Sequence, residues 1–414
     1  MNILYVTAYD SMGQQFNGYW LQKELQKLNC QSNMYVLEKK IEDQNIHLLG
    51  GKISRSINGI LGRVENELSL HNVLLNLGRS LIQSTLFKSA DVVHLQLLHA
   101  KQFISLLNLP EIARKRPVVW TIHDPWLTTG HCIHPLDCKR WLDGCGSCPD
   151  LATPVPMKFD ATALNWKIKY KVMHRANIHL IAASEWMASC FHSSPILHHL
   201  PFSVIPFGVD TRIFRPIDKS VARAHFNIPS DAHVIAFRWA PYFKIKGSEY
   251  IKRALELLQL KRDTYVILMD APHSYGMPEL QGKYQFVDLG WLEDRETTAM
   301  ALNAADVFLM PSLAESFGLM AVESMACGTP VIVFEDTALE GVIKAPQGGI
   351  AVPYKDAEAL SASIENILEN KHFRTDLAAS ALKVVQDHYT VERYALSHLA
   401  LYESVIRKFA SNTK

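Results

Sequence analysis

Along the first two hundred positions, short runs of apolar strand formers alternate with stretches of helical periodicity. Residues 2–7 (Asn2, Ile3, Leu4, Tyr5, Val6, Thr7) are the first run, followed by a polar turn and a helical pattern through Leu21, Leu25 and Leu28. Residues 91–95, 117–122 and 179–183 repeat the strand pattern, with helical stretches between them except where a cysteine-rich loop follows Ile122. Strands alternating with helices predict a parallel sheet covered on both faces. After Pro206 the pattern restarts, with strand candidates at 233–237, 265–269, 284–287, 306–310 and 330–334. Ile205, Pro206, Phe207, Gly208, Val209 and Asp210 punctuate the two halves as a hinge, and residues 391–409 read as one or two closing helices.

The chain has 414 residues, 48% of them hydrophobic and 20% charged, which is too much apolar material for one ordinary core. Two Rossmann-like α/β domains are expected: an N-terminal one over 1–205 with a cysteine-rich insertion at 131–150, and a C-terminal one over 206–390. The last helix, about 391–414, is a candidate to pack back on the first. A formal net charge of +1 gives no electrostatic case for nucleic-acid binding. With no apolar run of spanning length and no signal pattern at the N-terminus, the expected place is the cytoplasm, or the inner face of its membrane.

Chemistry concentrates in residues 311–331. Glu315 and Glu323 lie eight positions apart around a helix predicted to start near Ser316 or Phe317, so their carboxylates would stand about 12 Å apart along its axis. The backbone N–H groups of Ser316, Phe317, Gly318 and Leu319 would then form a helix N-terminus, which stabilises a diphosphate. Two glutamates at a helix start are otherwise ordinary solvated or capping groups. The loop follows a predicted strand directly, and ligands of open α/β sheets sit beyond such carboxyl ends.

The string Pro311-Ser312-x-x-Glu315-Ser316-Phe317-Gly318-Leu319-x-x-x-Glu323-x-Met325-Ala326-x-Gly328-Thr329-Pro330-Val331 closely resembles the E-x7-E segment of retaining glycosyltransferases of family 4, which have the GT-B fold. Residues 205–210 resemble the same family's interdomain I-P-N-G-x-D, with Phe207 where Asn is usual, and Lys246-Gly247 resembles its phosphate-site K-G. The resemblance implies two Rossmann-like domains facing across a cleft. It also implies that Glu315 holds donor-sugar hydroxyls, Glu323 the ribose, and Arg238 and Lys246 the diphosphate, with Lys244 a competitor for Lys246. It assigns His123, of His123-Asp124, to the donor sugar, and Gly18, of Asn17-Gly18, to the glycine-rich turn after the first strand. Taken alone, His123 and Gly18 equally suit a structural strand end and an ordinary turn.

No Asp-x-Asp motif occurs, so no metal or other cofactor is implied for catalysis, and cations must stabilise the leaving diphosphate. Retention is likewise implied by the resemblance. No carboxylate is recognisable as a nucleophile, which favours front-face substitution over double displacement. The implied partners are a nucleotide sugar and a glycan or lipid-linked acceptor in surface polysaccharide assembly. A nucleotide-sugar epimerase of the same fold and a non-catalytic sugar-nucleotide binding protein are the alternatives.

Cys132, Cys138, Cys145 and Cys148 fall within seventeen residues and end in a Cys-x-x-Cys knuckle. A structural zinc site is one reading; reduced packing thiols or a disulfide pair are the others. A subset of polysaccharide-assembly glycosyltransferases is similar through this H-D-x-W-x-x-T-G-x-C region. Cys30, Cys190 and Cys327 read as small apolar residues. Finally, residues 51–90 mix Lys52, Arg55, Arg63, Arg79 and Lys88 with Ile57, Ile60, Leu61, Leu68, Leu70 and Leu74. That mixture suits peripheral contact with an anionic membrane or, given Glu65 and Glu67, an ordinary amphipathic surface helix.

Overall fold

The computed structural model describes residues 1–11, 18–99, 101–152, 156–241, 243–269 and 277–412. The chain divides into two compact units, Met1–Pro206 with Tyr394–Lys414, and Phe207–Arg393.

The first unit holds seven strands: β1 (Asn2–Tyr9), β2 (Gln31–Glu38), β3 (Ile46–Leu48), β4 (Val92–Leu95), β5 (Val118–Ile122), β6 (His179–Ala182) and β7 (Phe202–Val204). They form one parallel sheet in the order β3-β2-β1-β4-β5-β6-β7. The runs read as central strands, β1, β4 and β5, are buried almost throughout, as the middle of a helix-covered sheet requires. Three strands were not legible. Gln31–Glu38 opens on polar residues, and Ile46–Leu48 and Phe202–Val204 span three residues each, too short to carry a period. The closing segment is a single helix, Val391–Asn412, and from Tyr394 onward it is part of this first unit.

The second unit holds β8 (His233–Arg238), β9 (Thr264–Met269), β10 (Gln285–Asp288), β11 (Val307–Met310), β12 (Val331–Phe334) and β13 (Gly349–Val352). Its sheet is also parallel, in the order β10-β9-β8-β11-β12-β13. Sequence had offered five of these; the sixth, β13, begins on glycine and has only three apolar side chains. In each sheet the order reverses once, between β1 and β4 and between β8 and β11. Chains leaving neighbouring strands diverge there, opening a crevice at the carboxyl ends.

One expectation is corrected. The helix after β11 is Leu319–Ala326, two or three residues later than the pattern suggested, with Gly318 as its N-cap. Gly318 has φ +83°, a left-handed conformation incompatible with a helical turn, so no helix can run through Phe317-Gly318. The positive φ disfavours any side chain there, and the Leu339 side chain, 2.1 Å from where a β-carbon would sit, would have to move as well. Glu315 therefore precedes the helix by four residues, and the 12 Å axial spacing does not apply.

Candidate functional site

In the second unit the residues singled out around Glu315 gather at the β8/β11 reversal. Arg238 ends β8, and the loop after it carries Lys244–Lys246 as a single 3-10 turn. The loop after β11 carries Glu315. The two loops are stitched together: the Leu313 amide donates to the Ile245 carbonyl at 2.8 Å, and Gly247 packs on Pro311 so closely that a β-carbon would sit 1.9 Å from its carbonyl oxygen. Gly247 also has φ +70°, where an L side chain is strained, and it caps the helix Ser248–Leu257.

This stitching brings Lys246 to Glu315. The ammonium and the carboxylate form an ion pair, with side chains only 18% and 14% exposed, and Ser312 donates a long hydrogen bond to the same carboxylate oxygen at 3.4 Å. Lys244 is exposed and takes no part. A sheltered pair of this kind holds its two groups in fixed positions, because neither side chain can leave without stranding a charge. Beyond it, Phe317 is buried, edge-on to Phe207 at 5.3 Å and to Tyr389 at 5.8 Å. Phe207 is thus a packing residue in this chain, where the resembling motif has a polar one. Ser316 is buried beside Phe317. The helix start presents the first-turn amides of Leu319 and Met320, that of Ala321 already donating to the Gly318 carbonyl at 3.0 Å, and Glu323 stands half-buried one turn further along, on the same face as Leu319 and Met320. Sequence reading passed over Trp291: its ring is 61% exposed and lies 5.7 Å from the Arg238 guanidinium, which orients that cation. A lone tryptophan after Gly290 carried no signal by itself.

In the first unit, Gly18 and His123 flank the β1/β4 reversal. Asn17 lies outside the described residues. Gly18 has φ +88° and caps the helix Tyr19–Lys27; a β-carbon there would press on Tyr5 and on the Gln96 amide nitrogen, at 3.0 and 3.2 Å. His123, just past the end of β5, donates from Nε2 to Gln96 Oε1 at 2.8 Å. Gln96 Nε2 in turn lies 3.0 Å from His94 Nε2, which Thr121 Oγ1 also reaches at 2.7 Å, and His94 Nδ1 lies 2.6 Å from the Tyr402 hydroxyl. If His94 Nδ1–H donates to Tyr402, the single lone pair on its Nε2 is shared between the Gln96 amide and the Thr121 hydroxyl, and the rings stay neutral. Burial favours that state, holding His94 well below the usual histidine range and His123 at about 3.

The segment after His123 is pinned as firmly. Asp124 accepts from the Trp126 amide at 2.9 Å and pairs with His99, whose ring stacks on Trp126 at 4.8 Å. Burial alone would raise the Asp124 carboxyl, but His99 and these hydrogen bonds hold it below its ordinary value. From the helix Thr162–Met173, the fully buried Lys169 donates to the carbonyls of Trp126 and Thr129 at 2.6 and 2.9 Å and sits 3.6 Å over the Trp126 ring.

The zinc reading of the cysteines does not fit this geometry. Cys132, Cys138, Cys145 and Cys148 line one small cavity with His131, but all are free thiols, and among the described residues no group of three or more His, Cys, Asp or Glu side chains is placed to hold a metal ion. Two of the sulfurs are turned to the backbone instead: Cys145 Sγ accepts from the Gly130 amide at 3.2 Å, and Cys148 Sγ donates to the Asp150 carbonyl at 3.1 Å. Burial pushes the Cys132 thiol up to about 11. The disulfide alternative is not formed either. Of the remaining cysteines, Cys30 and Cys327 are buried and Cys190 is half-buried.

Residues 223–384 match the family model of glycosyl transferases group 1. The matched span covers β8 through β13 and both loops of the Lys246–Glu315 pair. Curated relatives include D-inositol 3-phosphate glycosyltransferases. That of Mycobacteroides abscessus is 34% identical over 175 residues, 40% of this chain and 38% of the relative. That of Nocardioides sp. is 31% identical over 202 residues, 44% and 43% respectively. The chain thus spans less than half the length of these relatives. Among solved structures, sucrose-phosphate synthase from Thermosynechococcus elongatus superposes with TM-score 0.67 at 19% identity, covering 99% of this chain and 100% of that one. Anabaena HepE in complex with UDP and glucose gives 0.69 at 15% identity over 98% and 100%, and WaaG, a glycosyltransferase involved in lipopolysaccharide biosynthesis, 0.61 at 15% over 97% and 99%. The fold is GT-B, with two parallel-sheet α/β domains.

Proposed function

We propose that this chain is a retaining, metal-independent glycosyltransferase that moves a sugar from a nucleotide-sugar donor to a hydroxyl of a glycan or lipid-linked acceptor in surface polysaccharide biosynthesis. The observation that carries the reading is the Lys246–Glu315 pair, held by two stitched loops at the β8/β11 reversal. The group 1 match over the same span supports it. So do two structural neighbours, one in complex with UDP and glucose and one a glycosyltransferase involved in lipopolysaccharide biosynthesis.

Each group has a chemical task in this reading. Glu315, an acceptor-only carboxylate positioned by Lys246, receives hydrogen bonds from donor-sugar hydroxyls, and Glu323 receives those of the ribose. Lys246, Arg238 and the amides of Leu319 and Met320 face the diphosphate. As the bond from the anomeric carbon to the diphosphate oxygen breaks, its electron pair stays on that oxygen, and fixed positive charge stabilises it more than it stabilises the intact donor. The acceptor oxygen bonds to the anomeric carbon on the same face, and its proton passes to the departing phosphate. His123, neutral throughout the working pH range, serves a hydroxyl by hydrogen bonding.

The test is product analysis. Incubation with the nucleotide sugar the protein binds and a candidate acceptor should release nucleoside diphosphate and give, by NMR, a linkage of the donor's own anomeric configuration. An inverted linkage contradicts retention. Donor turnover without acceptor and with altered sugar stereochemistry points to an epimerase, and binding without turnover to a silent nucleotide-sugar receptor.

A further inference from the structure

His99 follows β4 by four residues and Asp124 follows β5 by two, so two neighbouring strands bring both to the carboxyl end of the first sheet. The imidazole is fixed twice over. Its Nε2 lies 2.9 Å from Asp124 Oδ2, and its face stacks on the Trp126 ring at 4.8 Å with 12° between the planes. Both supports are themselves anchored. Asp124 Oδ1 accepts from the Trp126 amide at 2.9 Å, and the buried Lys169, on the helix Thr162–Met173, holds the Trp126 and Thr129 carbonyls. A carboxylate only accepts hydrogen bonds, so Nε2 carries a proton and, in the neutral ring, Nδ1 is the acceptor. The His99 side chain is only 17% exposed, yet its Nδ1 has no hydrogen-bond partner among the described residues and is reachable from solvent. An aimed acceptor nitrogen stands open in an otherwise sheltered place.

His99 lines one narrow recess with Gln96, His123, Asp124 and Trp126, wide enough for a single hydroxyl or water rather than a whole ring. Its chemistry selects the occupant. An anion is repelled by Asp124, and an apolar group leaves Nδ1 unpaired. A metal ion needs more ligands, and among the described residues no group of three or more His, Cys, Asp or Glu side chains is placed to hold one. A neutral hydrogen-bond donor remains. We infer that His99 recognises the acceptor, its Nδ1 receiving the hydrogen bond of one hydroxyl on the acceptor's sugar ring, with Asp124 as the positioning residue that sets the tautomer. This rests on the glycosyl-transfer reading and extends it to the acceptor. No proton is transferred at His99. The bond fixes the hydroxyl, and a ring already held by Asp124 and Trp126 loses little freedom in making it.

The binding arm of the test uses p-nitrophenyl glucoside, galactoside, mannoside and N-acetylglucosaminide with the full chain and no donor. At least one should bind and shift the His99 Nδ1 resonance in nitrogen-15 NMR. His99→Gln keeps an amide donor for Asp124 and removes the ring acceptor, so it should weaken that glycoside about ten-fold, the loss of one hydrogen bond. Asp124→Asn offers His99 an amide donor instead of a carboxylate, so Nε2 accepts, Nδ1 takes the proton, and affinity should fall similarly with the resonance reporting the Nδ1–H tautomer. Both exchanges preserve a hydrogen bond between the two positions, and circular dichroism confirms the fold. In the kinetic arm, with the nucleotide sugar the protein binds, each variant should raise the glycoside KM about ten-fold and move the donor KM less than about two-fold. Glycoside binding or transfer that both folded variants leave unchanged overturns the inference, as does a wild type that binds none of the glycosides. A loss of affinity in Asp124→Asn with the His99 tautomer unaltered overturns the role of Asp124. Binding that depends on His99 but leads to no transfer places the failure in the glycosyl-transfer reading instead.

Discussion

His123 Nε2 donates to Gln96 Oε1 at 2.8 Å, and that single contact ties the end of β5 to a buried chain reaching the C-terminal helix at Tyr402. The orientation of His123 is thus set from the interior of the first unit. Replacing Gln96 by Leu leaves His123 and His94 each short of a buried partner, at a cost of about 1–3 kcal/mol. Gln96→Leu should also lower the transfer rate about ten-fold or more if His123 must be held in place. Gln96→Glu keeps an acceptor for His123 and should recover much of the rate. Urea titration and steady-state kinetics separate the two effects. Tyr402→Phe should destabilise by about 1–2 kcal/mol, because His94 Nδ1 loses its buried hydrogen-bond partner.

The protonation of His123 gives a pH prediction of definite sign. Its folded pKa, about 3, lies below the ordinary histidine value of 6.5, so between these two values the unfolded state binds a proton that the folded state refuses. The stability it contributes is complete above pH 6.5 and is lost as pH falls towards 3. Nitrogen-15 NMR of the histidine rings should show His123 as the neutral Nε2–H tautomer, unchanged from about pH 8 to about pH 5. A resonance titrating at the ordinary histidine value contradicts the buried assignment.

Gly247 should not accept a side chain. A β-carbon there meets the Pro311 carbonyl at 1.9 Å with φ at +70°, so Gly247→Ala must push the Lys246 loop from the Glu315 loop. The expected loss is more than about 1 kcal/mol of stability, with a larger proportional loss of nucleotide-sugar affinity, measured by thermal melts with and without ligand.

Asp306 provides the contrasting case. It lies at the opposite end of β11 from Glu315, buried, accepting from Arg223 at 2.8 Å, Lys219 at 3.0 Å and the Val234 amide at 2.9 Å. Burial opposes its charge, but the surrounding cations hold its carboxyl below the usual range, so this stability is present at neutral pH and lost as pH falls through the depressed value. Asp306→Asn should cost about 3–5 kcal/mol by stranding the buried Arg223, while leaving KM for the donor unchanged in the fraction that stays folded. Urea titration and donor saturation curves of the variant check both halves of this expectation.

Much of this was readable from the chain. The central strands announced themselves as predominantly apolar runs, since a strand covered on both faces has few polar positions to interrupt it. Edge strands such as Ile46–Leu48 did not, being short and half solvated. Glu315, Lys246 and Gly247 were visible through their motif, but their pairing depends on β8 and β11 being neighbours, a long-range fact that no local pattern encodes. The same holds for Tyr402, far down the chain from the histidine it meets, and for Lys169, whose carbonyl partners lie 43 and 40 positions before it. The helix start was misplaced because Gly318 reads as permissive in sequence, whereas in the fold it takes a left-handed conformation that ends any helix there. The cysteine spacing suggested a metal; the folded loop directs sulfurs to backbone partners instead.

The central claim is that Lys246 and Glu315 form the donor half of a glycosyl-transfer site. Thermal shift of wild type, Glu315→Gln and Lys246→Met against a panel of UDP, GDP, ADP and TDP sugars tests it most directly. Ligand at about a hundred times Kd stabilises a folded protein by about 2.7 kcal/mol. One nucleotide class should raise the wild-type melting temperature accordingly, and both variants, whose ligand-free melting temperatures fall because one charge of the sheltered pair is stranded, should lose most of that ligand-induced shift. A panel in which no nucleotide sugar shifts the wild type, or in which the shift survives in both variants, contradicts it.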